Sequence, residues 1–125
     1  MRHKESDLQT DCIFWIRIQY PKVQTVPSNA DFKFSGNDIR RMITGKRMKD
    51  MGYIKGTPDL FIALGNAKYN GLWIEFKSEK GKQTKEQLEF QKTTEINGFK
   101  YEIVRDYDYF KEIINKYIND DNLPF

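Results

Sequence analysis

Leu72-Trp73-Ile74-Glu75-Phe76-Lys77 is the stretch on which the reading of the whole chain turns. Side chains alternate across a β-strand. Leu72, Ile74 and Phe76 therefore form one face, and Trp73, Glu75 and Lys77 the other. The first face is core material. The second carries an acid and a base two residues apart, about 7 Å along the backbone. Removing two charges from water on a covered face is costly. The pair is therefore either a surface salt bridge on an open face or part of a site. Upstream, Asp59-Leu60-Phe61-Ile62-Ala63-Leu64 reads as a buried strand, and Asn66-Ala67-Lys68-Tyr69-Asn70-Gly71 as a loop of hairpin length. The two strands are expected to pair antiparallel, which sets Asp59 beside Glu75 on one face. Pro58 fixes the backbone just before Asp59.

Working outward, Thr84-Lys85-Glu86-Gln87 has the form of a capping box and opens a helix that Asn97-Gly98 closes. Tyr101-Glu102-Ile103-Val104 is a strand, reached from 72–77 through that helix, so this pair is expected to be parallel with a right-handed crossover. Phe110, Ile113, Ile114 and Tyr117 fall at helical spacing in a final helix from Tyr107 to Ile118. On the other side, Leu8, Cys12, Trp15 and Ile16 form an apolar stripe in a helix over 5–19, which Pro21 stops. Val23-Gln24-Thr25-Val26 is a short strand ending at the turn Pro27-Ser28-Asn29. Phe32-Lys33-Phe34 is a brief strand or an ordered loop. Asn37 can cap a helix over about 38–51, with Ile39, Met42 and Ile43 on one face and Gly52 just past its end. Interleaved strands and helices of this order make an α/β fold, one central mixed sheet flanked by helices. The 125 residues make one domain, 1–125, with 119–125 a frayed tail.

Composition narrows the chemistry. One cysteine, Cys12, and one histidine, His3, exclude a disulfide scaffold, a thiolate zinc site and Ser-His-Asp catalysis. No apolar run is long enough to span a membrane, and the charged N-terminus does not read as a secretory signal. A cytoplasmic protein is expected. The formal net charge is +3, but it is unevenly spread. Residues 33–55 carry Lys33, Arg40, Arg41, Lys46, Arg47, Lys49 and Lys55 against only Asp38 and Asp50. Such a patch suits a polyanion, or is simply a solvated helix face.

Two neighbouring carboxylates repel unless a cation explains them. Asp59 and Glu75, with a backbone carbonyl from Phe76 and water, make the hard-oxygen set that Mg²⁺ prefers; Mn²⁺ would substitute. Lys77 beside them can orient a nucleophile and stabilise charge building on phosphorus. A divalent ion acidifies water and clamps a phosphate, so the constellation points to phosphodiester hydrolysis. No small-molecule cofactor is implied.

Pro58-Asp59, fifteen intervening residues, then Glu75-Phe76-Lys77 resembles the PD-(D/E)-x-K nuclease signature. With Glu5-Ser6-x-x-Gln9, Gly56-Thr57-Pro58-Asp59-Leu60, Gly71-Leu72-Trp73-Ile74-Glu75-Phe76-Lys77 and Gly81-Lys82-Gln83-Thr84-x-x-Gln87, the chain is similar to the virus-type replication-repair nuclease (VRR-Nuc) family from Glu5 to about Tyr117. The resemblance implies a restriction-endonuclease-like core and a compact, stand-alone member of phage type, acting in the host cell cytoplasm. It implies Asp59 and Glu75 as metal-binding acids, Lys77 as the catalytic lysine, and Glu5 as the acid that completes the metal shell. Gln87 matches the family glutamine, reaching the scissile phosphate or the lysine; its other reading is the capping-box partner of Thr84. Gln9 and Gln91 each lie one turn from a site residue.

Lys80, Lys82 and Lys85 follow the catalytic strand, and Arg40, Arg41, Lys46 and Arg47 add a basic helix. Phosphate contacts give affinity without sequence information, and no recognition-helix or zinc module is present. Branched DNA, cut as by a Holliday-junction resolvase, is the expected substrate. Two symmetric cuts in one junction call for a C2 homodimer. A flap or nicking enzyme would act as a monomer, an RNA nuclease would use the same residues, and a non-catalytic nucleic-acid-binding module would keep only the fold.

Overall fold

The computed structural model describes residues 4–28 and 38–119; within 38–44, the side chains of 38–42 and 44 are not described. Phe32-Lys33-Phe34, Asn37, the side chains of Arg40 and Arg41, and the tail from residue 120 lie outside it. The elements run α1 (Lys4–Gln19), β1 (Thr25–Pro27), α2 (Asp38–Asp50), β2 (Leu60–Ile62), β3 (Leu72–Phe76), α3 (Lys85–Ile96), β4 (Lys100–Val104) and α4 (Tyr107–Ile118).

The four strands form one sheet in chain order, β1-β2-β3-β4. β2 and β3 pair antiparallel with Leu60 opposite Ile74 and Ile62 opposite Leu72. β3 and β4 pair parallel, Leu72 with Lys100 through Phe76 with Val104. The antiparallel hairpin and the parallel pairing across α3 are as expected. β2 is shorter than the apolar run that encodes it. The Leu64 N–H donates back to the Ile62 carbonyl at 2.9 Å, a tight turn that bends the chain out of the ladder. β1 also shifts, to Thr25–Pro27, because the Val23 N–H is taken by the Tyr20 carbonyl at the exit of α1. Pro27 has no N–H to offer, and it sits where that is tolerated, on an edge strand.

Alternation sends Leu60, Ile62, Leu72, Ile74, Phe76 and Val104 to one face, all fully buried. α1 and α4 cover this face. Cys12 and Ile16 come from α1, and Phe110, Ile113, Ile114 and Tyr117 from α4, the stripe its periodicity predicts. Trp15 packs edge-on against Phe110, ring centroids 6.0 Å apart. Each fully buried large apolar side chain contributes about 1.5–3 kcal/mol, so this layer dominates stability. Across α1 and α4, the Tyr20 hydroxyl donates to Asn115 Oδ1 at 2.5 Å. The opposite face of the sheet carries Phe61 and Trp73, 4.5 Å apart, under Phe90 of α3. Thr84 caps α3 with both reciprocal bonds of a capping box. The described side chains of α2 include no buried residue, and Ile43 is exposed.

Candidate active site

The β2–β3 register, continued by one residue, sets Asp59 directly opposite Glu75. Both are buried, 5% and 4% exposed. β2 begins at Leu60, and the Asp59 side chain takes the ladder position just before it: the Phe76 N–H donates to Asp59 Oδ2 at 2.8 Å. The Phe76 ring meanwhile stays in the core. On the other side, the Lys77 N–H donates to the Val104 carbonyl at 3.0 Å. Lys77 is thereby fixed to β4, and its ammonium lies 3.9 Å from Glu75 Oε1. The charges of Glu75 and Asp59 are felt by their neighbours. Tyr101, buried on β4, has its hydroxyl pushed up to about 12, first by desolvation and further by those two carboxylates, against a hydrogen bond from Gln83 that lowers it.

Gln87 closes the capping box, one of the two readings the sequence leaves it, and with the same side chain bonds Glu75. Its Oε1 accepts the Thr84 N–H at 2.8 Å, closing the capping box. Its Nε2 donates to Glu75 Oε1 at 3.0 Å. It reaches Glu75 rather than the lysine. The first turn of α3 is thus locked onto the carboxylate by one side chain. Gly56 lets this turn come close: a Cβ there would stand 2.5 Å from the Glu86 carbonyl carbon and 2.8 Å from the Gln87 nitrogen, and its φ is +92°. Only glycine meets both demands. The Gly-x-Pro-Asp run therefore seats both Asp59 and Gln87. Gln91 is engaged elsewhere, accepting from Gln83 at 2.8 Å.

Two hollows flank the acids. One, of about 540 Å³, has Asp59 in its wall with Ser6 and Gln9 of α1. The other, of about 640 Å³, holds Lys77 with Lys4, Leu8, Lys80 and Arg105. The α1 N-terminal half is the ridge between them. Glu5, one turn before Leu8 and Gln9, sits on that ridge, exposed in the first helical turn. Among the described residues, no three or more His, Cys, Asp or Glu side chains gather closely enough to hold a metal ion. Glu5 thus does not close with Asp59 and Glu75 into the three-acid shell expected of it; its place at the helix end keeps its side chain in water. The two buried carboxylates are nevertheless a donor set suited to a hard divalent ion completed by carbonyl oxygen and water.

Lys80, Lys82 and Lys85 are exposed beyond β3, and Lys46 and Arg47 on α2. Sequence reasoning missed Lys4 and Arg105. Arg105 follows β4, which runs parallel to β3, so the register Phe76–Val104 places it beside Lys77; the predicted parallel pairing was the signal that could have found it. Its guanidinium donates to the Ser78 carbonyl at 2.8 Å and the Gly81 carbonyl at 2.7 Å, bracing the loop that carries Lys80.

No family model matches the chain, and no curated protein matches its sequence. Among solved structures, it is similar to one described as "VRR_NUC domain protein", with a TM-score of 0.70 at 24% identity, covering 94% of this chain and 90% of that one. The likeness is one of fold. It is consistent with the restriction-endonuclease-like core, a mixed four-stranded sheet flanked by helices, that the motif residues imply.

Proposed function

We propose that this chain is a VRR-Nuc nuclease: a metal-dependent, structure-selective DNA endonuclease that hydrolyses phosphodiester bonds in branched DNA, as a Holliday-junction resolvase does. The observation that carries the reading is the buried Asp59 and Glu75, opposite each other across a hairpin, with the Lys77 ammonium 3.9 Å from Glu75. Mg²⁺, or Mn²⁺ in its place, would be held by Asp59, Glu75 and the Phe76 carbonyl, with water completing the shell. When bound, the ion supplies charge stabilisation on the phosphate and acidified water. The chain's own residues do the rest. Lys77, held by β4 and mostly sheltered, offers a positive charge to the scissile phosphate. Gln87 fixes Glu75 in orientation. Lys4 and Lys80, lining the hollow beside Lys77, add positive potential for the backbone of the cut strand.

Lys80, Lys82, Lys85, Lys46 and Arg47, with Arg40 and Arg41 earlier in α2, would meet flanking phosphates, giving affinity without base readout. A domain with a radius of gyration of about 14 Å carries one such site, so paired cuts require a homodimer. Among the described residues, no helix is long and apolar enough to cross a membrane. A nuclease of this phage type would act in the host cell cytoplasm.

The test is a Mg²⁺ and Mn²⁺ titration on a labelled four-way junction, a flap and a plain duplex. Cutting of the junction in two symmetric positions is expected. Glu75→Ala and Lys77→Ala should each abolish cutting and leave binding intact. Equal loss of binding and cutting would instead identify a non-catalytic module; flap cutting by a monomer would displace the resolvase reading.

A further inference from the structure

We infer that the outer stripe of α1 is where the branch in the DNA is read, with Phe14 stacking on an unpaired base and Arg17 holding a phosphate beside it. The inference rests on the nuclease reading above and goes beyond it by naming the source of structure selectivity.

The hollow that contains Asp59 is not a closed pit. It runs along α1 past Ser6, Gln9 and Thr10 to Phe14 and Arg17. Ser6, Thr10, Phe14 and Arg17 follow at i, i+4, i+8 and i+11, which aligns them on one side of a helix. The stripe spans about 16 Å at 1.5 Å per residue. It shares its hollow with Asp59, the proposed metal-binding acid, and its last member carries a guanidinium. Phe14 is 69% exposed, although the same helix buries Cys12 and Ile16 completely. Nothing in the core requires an aromatic ring at position 14.

The chemistry of this wall fits a single strand better than a duplex. The small hydroxyls of Ser6 and Thr10 in the hollow shared with Asp59 leave room for a sugar-phosphate backbone to pass. A flat ring farther on offers a face to any base that is not already stacked within a helix. A guanidinium beyond it supplies one phosphate contact. In an intact duplex every base face is covered, so Phe14 gains nothing. At a junction or flap the strand leaving the branch exposes one, and stacking there would register the scissile phosphate over Asp59.

The test uses the full chain with three labelled DNAs: a four-way junction, a flap and a plain duplex, the first two with 2-aminopurine at the branch. Phe14→Ala should lower both affinity for and cutting of the branched DNAs by about tenfold, in line with the loss of one base-aromatic stack, and leave duplex binding unchanged. Phe14→Trp should restore the preference and quench 2-aminopurine. Arg17→Ala should reduce the salt slope of binding by about one unit on all three DNAs. If the chain cuts DNA and Phe14→Ala keeps the wild-type ratio of branched to duplex cutting, the inference fails while the nuclease reading stands. If the chain cuts nothing yet prefers branched DNA in a Phe14-dependent way, the inference stands and the nuclease reading fails. If Phe14→Ala instead turns a dimer into a monomer in sedimentation, the stripe, with its exposed neighbour Ile18, is a contact between two copies, and the inference is overturned.

Discussion

Alanine at Gly56 and alanine at Gly52 make a matched pair of perturbations. Both glycines have positive φ, +92° and +105°, so a side chain at either costs about 1–2 kcal/mol in backbone strain. They differ in surroundings. A Cβ at Gly52 meets nothing within 4 Å, whereas one at Gly56 would fall 2.5 Å from the Glu86 carbonyl and 2.8 Å from the Gln87 nitrogen. These neighbours are helix backbone and yield only if α3 moves. Overpacking of this kind costs about 1–3 kcal/mol more. G52A is therefore expected to lose about 1–2 kcal/mol and G56A about 2–5 kcal/mol in urea denaturation at unchanged m. The same displacement draws Gln87 away from Glu75. G56A should then cut DNA far more slowly even where it is fully folded, since small misplacements at a reacting centre cost up to about a hundredfold, while G52A should cut at the wild-type rate. Equal destabilisation by the two substitutions, or wild-type cutting by folded G56A, would refute the claim that close contact at Gly56 seats the site.

Gln87→Leu removes both the cap bond and the bond to Glu75; a stability loss of about 1–2 kcal/mol with a fall in cutting rate is expected, and an unchanged rate at saturating DNA would sever Gln87 from the site. Mg²⁺ at ten times its dissociation constant should raise stability by about 1.4 kcal/mol in thermal unfolding of the wild type but not of Asp59→Asn; equal shifts would remove the ion from that acid. Burial pushes the Cys12 thiol up to about 12 from 9.0, so the unfolded chain ionises first as pH rises. The stability this confers is complete below about pH 9 and drains toward pH 12, by about 1 kcal/mol between pH 9 and pH 10. Urea midpoints across that interval should fall more steeply for the wild type than for Cys12→Ala, and parallel lines would disprove the assignment.

The parts legible in the sequence were those set by local periodicity and by pairing between neighbours. Phe110, Ile113, Ile114 and Tyr117 declare their face by spacing alone, and all four are buried. The hairpin follows from two strands and a short loop, and with it the opposition of Asp59 and Glu75. The capping box at Thr84 and Gln87 was written in four residues. What escaped depends on distance in space. The bond from Gln87 to Glu75 needs α3 to lie over β3, and no one-dimensional pattern encodes how close that approach is. Arg105 falls beside Lys77 only through the parallel register. Glu5 carries the right chemical type in the right helix, yet its exposure is decided by where α1 begins relative to the sheet. Strand ends were also blurred, because turns at Leu64 and Val23 take hydrogen bonds that apolar runs alone would assign to the ladder.

The tie between Tyr20 and Asn115 joins segments 95 positions apart. The hairpin that presents both acids can close from neighbouring residues, quickly and without help from either end of the polypeptide. α1 cannot. Packed on both β3 and α4, it is expected to complete its seat only once α4 has formed, so the wall that would guide a strand to the acids should follow the hairpin. In refolding, hydrogen-exchange protection at Leu60 and Ile74 should accordingly appear ahead of protection at Cys12 and Ile16, and the ability to cut should arrive with the later pair.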